Sequence, residues 1–103
     1  MFAVVYSFKI KAEKRDSFLQ AWSEMTLLIR EYEGGLGSRL HQCSDTDYVA
    51  YAQWPDENTW TNAGANLPEI ATEIRKQMKD SCEEMKTIYQ MEMVDNLLLN
   101  LDD

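Results

Sequence analysis

The spacing of apolar residues along this chain switches repeatedly between two and three to four, and that switching restricts the folds it can adopt. Near the N-terminus the apolar residues of one parity are Phe2, Val4, Tyr6, Phe8 and Ile10. A period of two predicts a β-strand, because successive side chains of a strand point to opposite faces. Over residues 18–32 the apolar positions recur at intervals of three and four, which predicts an amphipathic helix. The chain therefore begins with a strand followed by a helix.

Two strands and a hairpin are predicted after the first helix. Gly34-Gly35 predicts the helix end, because glycine readily adopts the left-handed conformation found there. Residues 36–43 and 48–54 carry strand patterns, and the polar stretch 44–47 between them predicts a hairpin loop.

The second half of the chain supplies another helix and another strand. Pro55 and Asp56 predict the end of the third strand and the start of a helix, since proline lacks a ladder donor and aspartate favours the N-cap. Residues 62–66 interrupt this helix, and a last strand is predicted over residues 86–94. The helical stripe between them comprises Ile70, Ile74, Met78, Cys82 and Met85.

The predicted order is β-α-β-β-α-β, which defines a ferredoxin-like α+β fold with an antiparallel sheet and helices on one face. We expect one domain over residues 1–103, because this length suits a single small domain. Helices cover only one face of such a sheet, yet Ala3, Val5, Val49 and Tyr51 of the opposite parity are also apolar. An exposed apolar face favours a partner, and the simplest partner is a second copy in a two-fold dimer.

The C-terminal tail, residues 95–103, is the second feature that favours self-association. It contains Leu97, Leu98, Leu99 and Leu101, which is too apolar for a free end. We expect this tail to pack on a neighbouring subunit, with a frayed end as the alternative.

The charge balance excludes two classes of partner. The net charge is −8, from 18 acidic and 10 basic residues, whereas nucleic acids and anionic membrane surfaces both require a basic face. No run reaches the ~20 apolar residues of a membrane span, and no signal-peptide pattern is present. We therefore expect a cytoplasmic protein in which Cys43 and Cys82 are reduced, core-type residues.

The stretch YVAYAQWPDENTW, together with a short first strand, a helix ended by Gly-Gly and a hairpin, resembles the antibiotic biosynthesis monooxygenase family. The resemblance covers almost the whole chain and implies a dimeric α+β barrel. The family includes oxygenases that oxidise polycyclic phenols and quinols without metal or flavin, haem-degrading enzymes and small quinol monooxygenases. Fold alone does not distinguish these activities.

Two branches of that family place different demands on the residues. The haem-degrading branch needs a histidine along the helix after the third strand, and no histidine follows His41 here. The antibiotic-tailoring branch is similar to this chain in having a tryptophan at the strand end, which is Trp54. It differs at Trp60, which stands in place of a phenol and removes one proton-transfer group.

Two tryptophans flank the predicted strand-to-helix corner and are candidates for a ligand-binding wall. Trp54 closes the third strand, and Trp60 lies in the helix that follows. Their rings either form an aromatic surface for a planar ligand or only fill the core. Phe8, Met25 and Met78 lie on the inward-facing stripes, and we expect them to complete an apolar substrate-binding pocket.

Three polar side chains are candidates for catalysis. His41 has an unperturbed pKa near neutrality, which suits a general base, but its parity places it away from the helices. Asn62 lies in the break between helical segments, where its amide would donate to an oxyanion. Tyr6 is on the helix-facing side of the first strand, where a buried phenol needs a partner that a ligand could supply. Structural roles for all three remain open.

The resemblance leads to two hypotheses about function. The first is a cofactor-independent monooxygenase or quinol oxidase that acts on a small aromatic or polyketide-like substrate, with neither metal nor cofactor. Such a reaction needs an apolar pocket, a group that takes a proton and donors that hold an oxyanion. The second is a non-catalytic dimeric protein that binds a small molecule, or serves as an accessory factor, on the same scaffold.

Overall fold

A computed structural model describes residues 1–99 of the 103-residue chain, and its elements confirm the ferredoxin-like α+β fold. The order is β-α-β-β-α-β, with the second helical segment divided in two by a loop. The strands are β1 Phe2–Ile10, β2 Gly37–Gln42, β3 Asp47–Trp54 and β4 Cys82–Glu92. The helices are α1 Arg15–Tyr32, which a 3-10 turn (Ala12–Lys14) precedes, α2 Glu57–Thr61 and α3 Ile70–Asp80.

The sheet is antiparallel throughout, with the strand order β2-β3-β1-β4. Its register places Phe2 opposite Trp54 and Tyr6 opposite Ala50. Residues directly opposite one another share a face of the sheet. The side chains of Tyr6 and Trp54 therefore lie on the same side. α1 and α3 pack on this side, as the alternation in β1 predicts.

Aromatic rings fill the larger apolar cluster beneath the helices. Phe18 of α1 is fully buried, and its ring centroid lies 5.1 Å from that of Phe8 and 5.5 Å from that of Tyr48. The Tyr48 hydroxyl accepts a hydrogen bond from Arg15 Nε at 2.8 Å, so its polar end is satisfied at the edge of the core.

The boundary between the last helix and the last strand differs from the prediction. α3 ends at Asp80, and Cys82 and Met85 belong to β4 rather than to the helical stripe. Cys82 lies opposite Ile10 and Met85 opposite Phe8, so β4 follows the whole of β1. The spacing of these residues fits a helix locally, but the strand supplies backbone partners for the full edge of β1.

The two cysteines lie in different environments. Cys82 is buried, whereas Cys43 is exposed, so the expectation that both are core-type residues was wrong for Cys43. Cys43 follows the last residue of β2, and its backbone N–H donates to the carbonyl of Asp47 across the hairpin. Within residues 1–99 no helix is long and apolar enough to cross a membrane. The cytoplasmic location stays a prediction.

The sheet face away from the helices is apolar and only partly covered. Val5, Val49 and Tyr51 are partly buried on it. On β4, the side chains of Tyr89 and Met91 are 62% and 37% exposed, opposite Val5 and Ala3.

The C-terminal tail runs beside this same face. Its residues 95–98 line a shallow hollow together with Ala3 and Tyr51. Leu97, Leu98 and Leu99 are 88%, 74% and 80% exposed, while Leu101 lies outside the described residues. The packing of this tail on a neighbouring subunit stays a prediction.

Candidate functional site

An apolar hollow of about 170 Å³, the inner cavity, lies between the helix-facing side of the sheet and the helices α1 and α3. Its walls are almost entirely apolar or aromatic, which is typical of small-molecule sites. The lining side chains from the strands are Tyr6, Phe8, Ser38, Ala52, Gln53, Trp54 and Met85, and those from the helices are Trp22, Met25, Thr26, Ile29 and Met78.

Gly35 closes one side of the inner cavity by a close approach of two elements. A Cβ added at Gly35 would lie 2.9 Å from Ile29 Cγ2 and 3.5 Å from the Trp54 ring. A larger residue at this position would require the Ile29 side chain to shift. Gly35 therefore allows Ile29 and Trp54 to approach each other at this side of the cavity.

Tyr6 places a phenol in the wall of the inner cavity. Its hydroxyl accepts a hydrogen bond from Trp60 Nε1 at 2.9 Å. Burial raises the pKa of Tyr6 above its ordinary value, and the hydrogen bond from Trp60 offsets part of that rise. The phenol therefore stays protonated at neutral pH and can donate its own proton to a ligand oxygen.

Trp54 forms another part of the inner cavity wall. The side chain is 4% exposed, and its Nε1–H has no hydrogen-bond partner among the described residues. A buried donor without a partner costs about 1–3 kcal/mol. Tyr6 and Trp54 thus line the same cavity, where the Tyr6 O–H is free to donate, whereas the unpaired Trp54 Nε1–H is closed off from solvent.

The position of Trp60 follows from how α2 begins. Asp56 caps the helix, accepting from the Thr59 backbone N–H at 2.8 Å and from the Thr59 hydroxyl at 2.7 Å. These bonds, of which the backbone one is the stronger influence, lower the pKa of the Asp56 carboxyl. The cap fixes the first turn of α2. Trp60, one residue further on, packs against Phe2 with ring centroids 5.9 Å apart.

Glu33 anchors the loop that follows α2, and the sequence alone did not reveal this role. Its carboxylate is buried and accepts from the backbone N–H groups of Gly64 and Asn66 at 2.6 and 3.0 Å, and from Asn66 Nδ2 at 3.3 Å. Gly64 has φ +112°, a conformation that other residues rarely adopt. A negative charge just after a helix C-terminus interacts unfavourably with the helix dipole. That unfavourable position was the sequence signal that the Glu33 carboxylate has partners outside the helix.

The structure gathers five of the proposed site residues around one cavity. Those that line it are Tyr6, Phe8, Met25, Trp54 and Met78. Sequence reasoning did not single out Trp22, Thr26 or Gln53, which also line it.

Three proposed site residues lie outside the cavity lining. Trp60 stands behind Tyr6 and reaches the cavity only through the hydrogen bond to the phenol. His41 is exposed on the opposite sheet face, where it pairs with Val49. Asn62 is exposed at the C-terminal end of α2. Within residues 1–99, Tyr6 is the only ionisable side chain that lines the inner cavity.

A second hollow, the outer groove, opens between α1 and the edge strand β2 with a volume of about 470 Å³. It shares Trp22, Thr26, Gly37, Ser38 and Gln53 with the inner cavity, so the two are continuous. Its remaining lining residues are Ser23, Leu27, Arg30, Leu36, Arg39 and Tyr51. The groove is therefore polar and cationic where the inner cavity is apolar.

The described residues offer no cluster of three side chains that would hold a metal ion. The inner cavity is an apolar enclosure with the Tyr6 hydroxyl in its wall. Such an enclosure is suited to a flat apolar ring that carries an oxygen substituent.

Comparison with protein families places this chain in a defined group. The family model described as antibiotic biosynthesis monooxygenase matches residues 1–66, which include β1, α1, the hairpin and α2. The chain therefore belongs to the antibiotic biosynthesis monooxygenase family. No curated protein matches it in sequence.

Solved structures show the same fold at low sequence identity. SnoaB, a cofactor-independent oxygenase from Streptomyces nogalater crystallised as the mutant N63A, is 15% identical with a TM-score of 0.73, covering 93% of this chain and 95% of its own. A putative antibiotic biosynthesis monooxygenase from Deinococcus radiodurans is 13% identical with a TM-score of 0.74, covering 97% and 99%. Rv0793 from Mycobacterium tuberculosis is 13% identical with a TM-score of 0.72, covering 94% and 98%. These likenesses show the shared fold.

Proposed function

We propose that this protein is a cofactor-independent monooxygenase or quinol oxidase whose substrate is a small, electron-rich aromatic phenol. The observation that carries the proposal is the inner cavity, an apolar enclosure walled by the Trp54 ring in which the Tyr6 hydroxyl is free to donate. Membership of the family and the fold shared with the cofactor-independent oxygenase SnoaB support the same reading.

The residues of the inner cavity are suited to stabilising the negative charge on the substrate oxygen in this reaction. A deprotonated phenol or hydroquinone passes an electron to dioxygen, which gives a phenoxyl radical and superoxide. The two either combine at a ring carbon to a hydroperoxide that loses water to leave a carbonyl, or exchange a second electron and the protons to give the quinone and hydrogen peroxide. The protein contributes exclusion of water and stabilisation of the phenolate oxygen. Tyr6 would donate its O–H to that oxygen while Trp60 holds the phenol in place, and the Trp54 ring would pack against the substrate.

The substrate proton leaves the cavity in this proposal. Tyr6 has a raised pKa and is therefore a poor base near neutrality, so it acts as a donor to the oxyanion. The proton would pass through the outer groove to solvent. His41 and Asn62 take no part, because both are exposed outside the cavity.

The same lining supports a second candidate function. Because Tyr6 is the only ionisable group among the described residues that line the inner cavity, the site is also suited to binding an aromatic molecule without turnover. A non-catalytic binding or accessory protein on this scaffold is therefore the alternative.

Oxygen consumption distinguishes the two functions. Metal-stripped protein is assayed with a panel of hydroquinones, anthrones and catechols, and autoxidation of each compound without protein is subtracted. Uptake above that background supports the oxygenase. No uptake across the panel, together with binding of any of these compounds, supports the binding protein.

Tyr6→Phe tests the donor role, because it removes the hydroxyl and leaves the ring. Loss of one oxyanion donor typically lowers kcat by about 10²-fold, and we expect a reduction of that order. Tyr48→Phe is the matched control, since it removes a buried hydroxyl from the same sheet face at a position outside the cavity lining. Equal kcat for Tyr6→Phe and the control would overturn the assignment of Tyr6.

The proposal also includes a two-fold homodimer formed through the sheet face away from the helices. Support comes from the exposed Tyr89 and Met91 on that face and from the exposed leucines of the tail beside it. A second copy of the same face is the partner that the family resemblance implies and that point-group symmetry allows. The tail of each copy would then lie at the edge of the interface.

A further inference from the structure

The outer groove carries two arginines whose charges have no acidic neighbour in the groove. Arg30 lies on α1 and Arg39 on β2. Neither forms an ion pair with another residue in the described part of the chain, where the salt bridges lie elsewhere. No Asp or Glu lines the groove among residues 1–99. In a chain with a net charge of −8, this is a local positive potential beside an apolar cavity.

The size of the inner cavity requires a larger ligand to extend into this groove. An apolar cavity of about 150 Å³ holds one benzene molecule, and the inner cavity has about 170 Å³. A ligand of two or more fused rings therefore places part of its structure in the shared mouth formed by Trp22, Thr26 and Gly37. Its outer substituent comes to lie in the groove.

Arg30 lies beside that mouth. A Cβ added at Gly37 would lie 3.7 Å from Arg30 Cδ, so the arginine side chain passes over Gly37, which lines both hollows. A guanidinium in this position offers a planar, bidentate donor pair to a carboxylate. Arg30 belongs to the helix layer and stays accessible when a second copy covers the opposite sheet face.

We propose that the outer groove binds the acidic substituent of an aromatic ligand whose ring occupies the inner cavity, with Arg30 as the contact. The ligand class is an aromatic acid with a phenolic oxygen at its inner end. This inference deepens the proposed function and rests on the inner cavity as the ligand site, but it does not require turnover.

Binding of a matched pair of probes tests the inference. The probes are 6-hydroxy-2-naphthoate and its neutral carboxamide, titrated calorimetrically under nitrogen so that no oxidation occurs. For a partly solvated ion pair we expect the wild-type protein to bind the carboxylate about three- to tenfold more tightly than the amide. This preference decreases with added salt, because the charges are not fully buried.

Variants assign the preference to a residue. Arg30→Gln is expected to remove the preference for the carboxylate over the carboxamide, and Arg30→Lys to retain part of it. Arg75→Gln, an exposed arginine of α3 that does not line the groove, is the matched control and should retain the full preference.

Three outcomes overturn the inference: equal binding of the two probes by wild-type protein, a preference that survives in Arg30→Gln, or absence of binding for both probes. The first two leave the proposed oxygenase intact if oxygen uptake persists. Conversely, a preference for the carboxylate probe that depends on Arg30, without any oxygen uptake, supports this inference and contradicts the proposed oxygenase activity.

Discussion

The two faces of the sheet come from the same alternating strands but differ in what covers them. On the face beneath the helices, Val4 and Ala50 are 0% and 1% exposed, whereas Tyr89 on the other face is 62% exposed. Two helices of this length cover one face of a four-stranded sheet and leave the other. Alternation therefore assigns residues to faces, but the number of covering elements decides which face becomes a closed interior.

The chemical difference between the faces follows from that coverage. The covered face contains the inner cavity, where Tyr6 and Trp54 keep free donors out of water. The open face presents large apolar side chains beside charged ones such as Arg39, which is typical of a protein contact surface. This difference is what the proposed function requires, with ligand binding on one face and association through the other.

Phe18→Ala and Tyr89→Ala are the sharpest test of this division. Phe18 is fully buried under α1, and its truncation should cost about 3–5 kcal/mol of the free energy of unfolding. That cost should not depend on protein concentration. Tyr89→Ala should lower stability only at concentrations where the dimer forms, because its loss acts through association.

Urea unfolding of both variants at several protein concentrations provides the measurement. If the two truncations lower the free energy of unfolding by the same amount at every protein concentration, the face away from the helices is an ordinary part of the monomer core. The proposed difference between the two faces would then be wrong.

Tyr89→Lys should separate the subunits. Central aromatic residues of an interface commonly contribute 2 kcal/mol or more to association, and two symmetry-related lysines would add like-charge repulsion. Light scattering at micromolar concentration should give twice the 12.0 kDa chain mass for wild-type protein and the chain mass for the variant. Lys76→Glu on the exposed side of α3 is the control. A monomeric mass for the wild-type protein would contradict the proposed dimer directly.

Much of this architecture was accessible from the sequence because it depends on local periodicity. The parity of Tyr6 and Phe8 placed both beneath the helices, and the Gly-Gly pair marked the end of α1. The α3–β4 boundary was misplaced because Met78, Cys82 and Met85 fit a helical spacing, while the pairing of β4 with β1 is non-local and leaves no mark in that spacing.

The residues of the site that were not foreseen act through contacts that are distant in sequence. Glu33 meets Gly64 and Asn66 about thirty positions away, and no periodicity encodes that meeting. Arg30 was not singled out from the sequence, since only the fold brings it beside Gly37 at the cavity mouth. His41 shows the converse, because side-chain chemistry alone selected it while its parity already placed it elsewhere.

Glu33→Gln should destabilise the loop that follows α2. The substitution removes the charge from a buried carboxylate that accepts three hydrogen bonds, and bonds to a charged group typically contribute about 1.5–3 kcal/mol. We expect a loss of about 1–3 kcal/mol in unfolding free energy, with faster amide exchange at Gly64 and Asn66.

Glu31→Gln, at an exposed position two residues earlier, is the matched control and should leave both measurements unchanged. Unaltered exchange at Gly64 in Glu33→Gln would mean that the loop does not depend on this carboxylate, and that α2 is positioned by its N-cap and by Trp60 alone.

The smallest expected effect concerns the two thiols. Burial raises the pKa of the Cys82 thiol from 9.0 to about 11, with Lys11 opposing part of the rise, whereas Cys43 is exposed. Because the unfolded chain releases the Cys82 proton first as pH increases, stability should fall between pH 9 and pH 11.

Cys82→Ala should make the decline of unfolding free energy over this range shallower, and Cys43→Ala should not. The tyrosines titrate alike in all three proteins, so the difference in slope isolates Cys82. Identical slopes would show that Cys82 is open to water, and that the covered face of the sheet is not closed at its β4 edge.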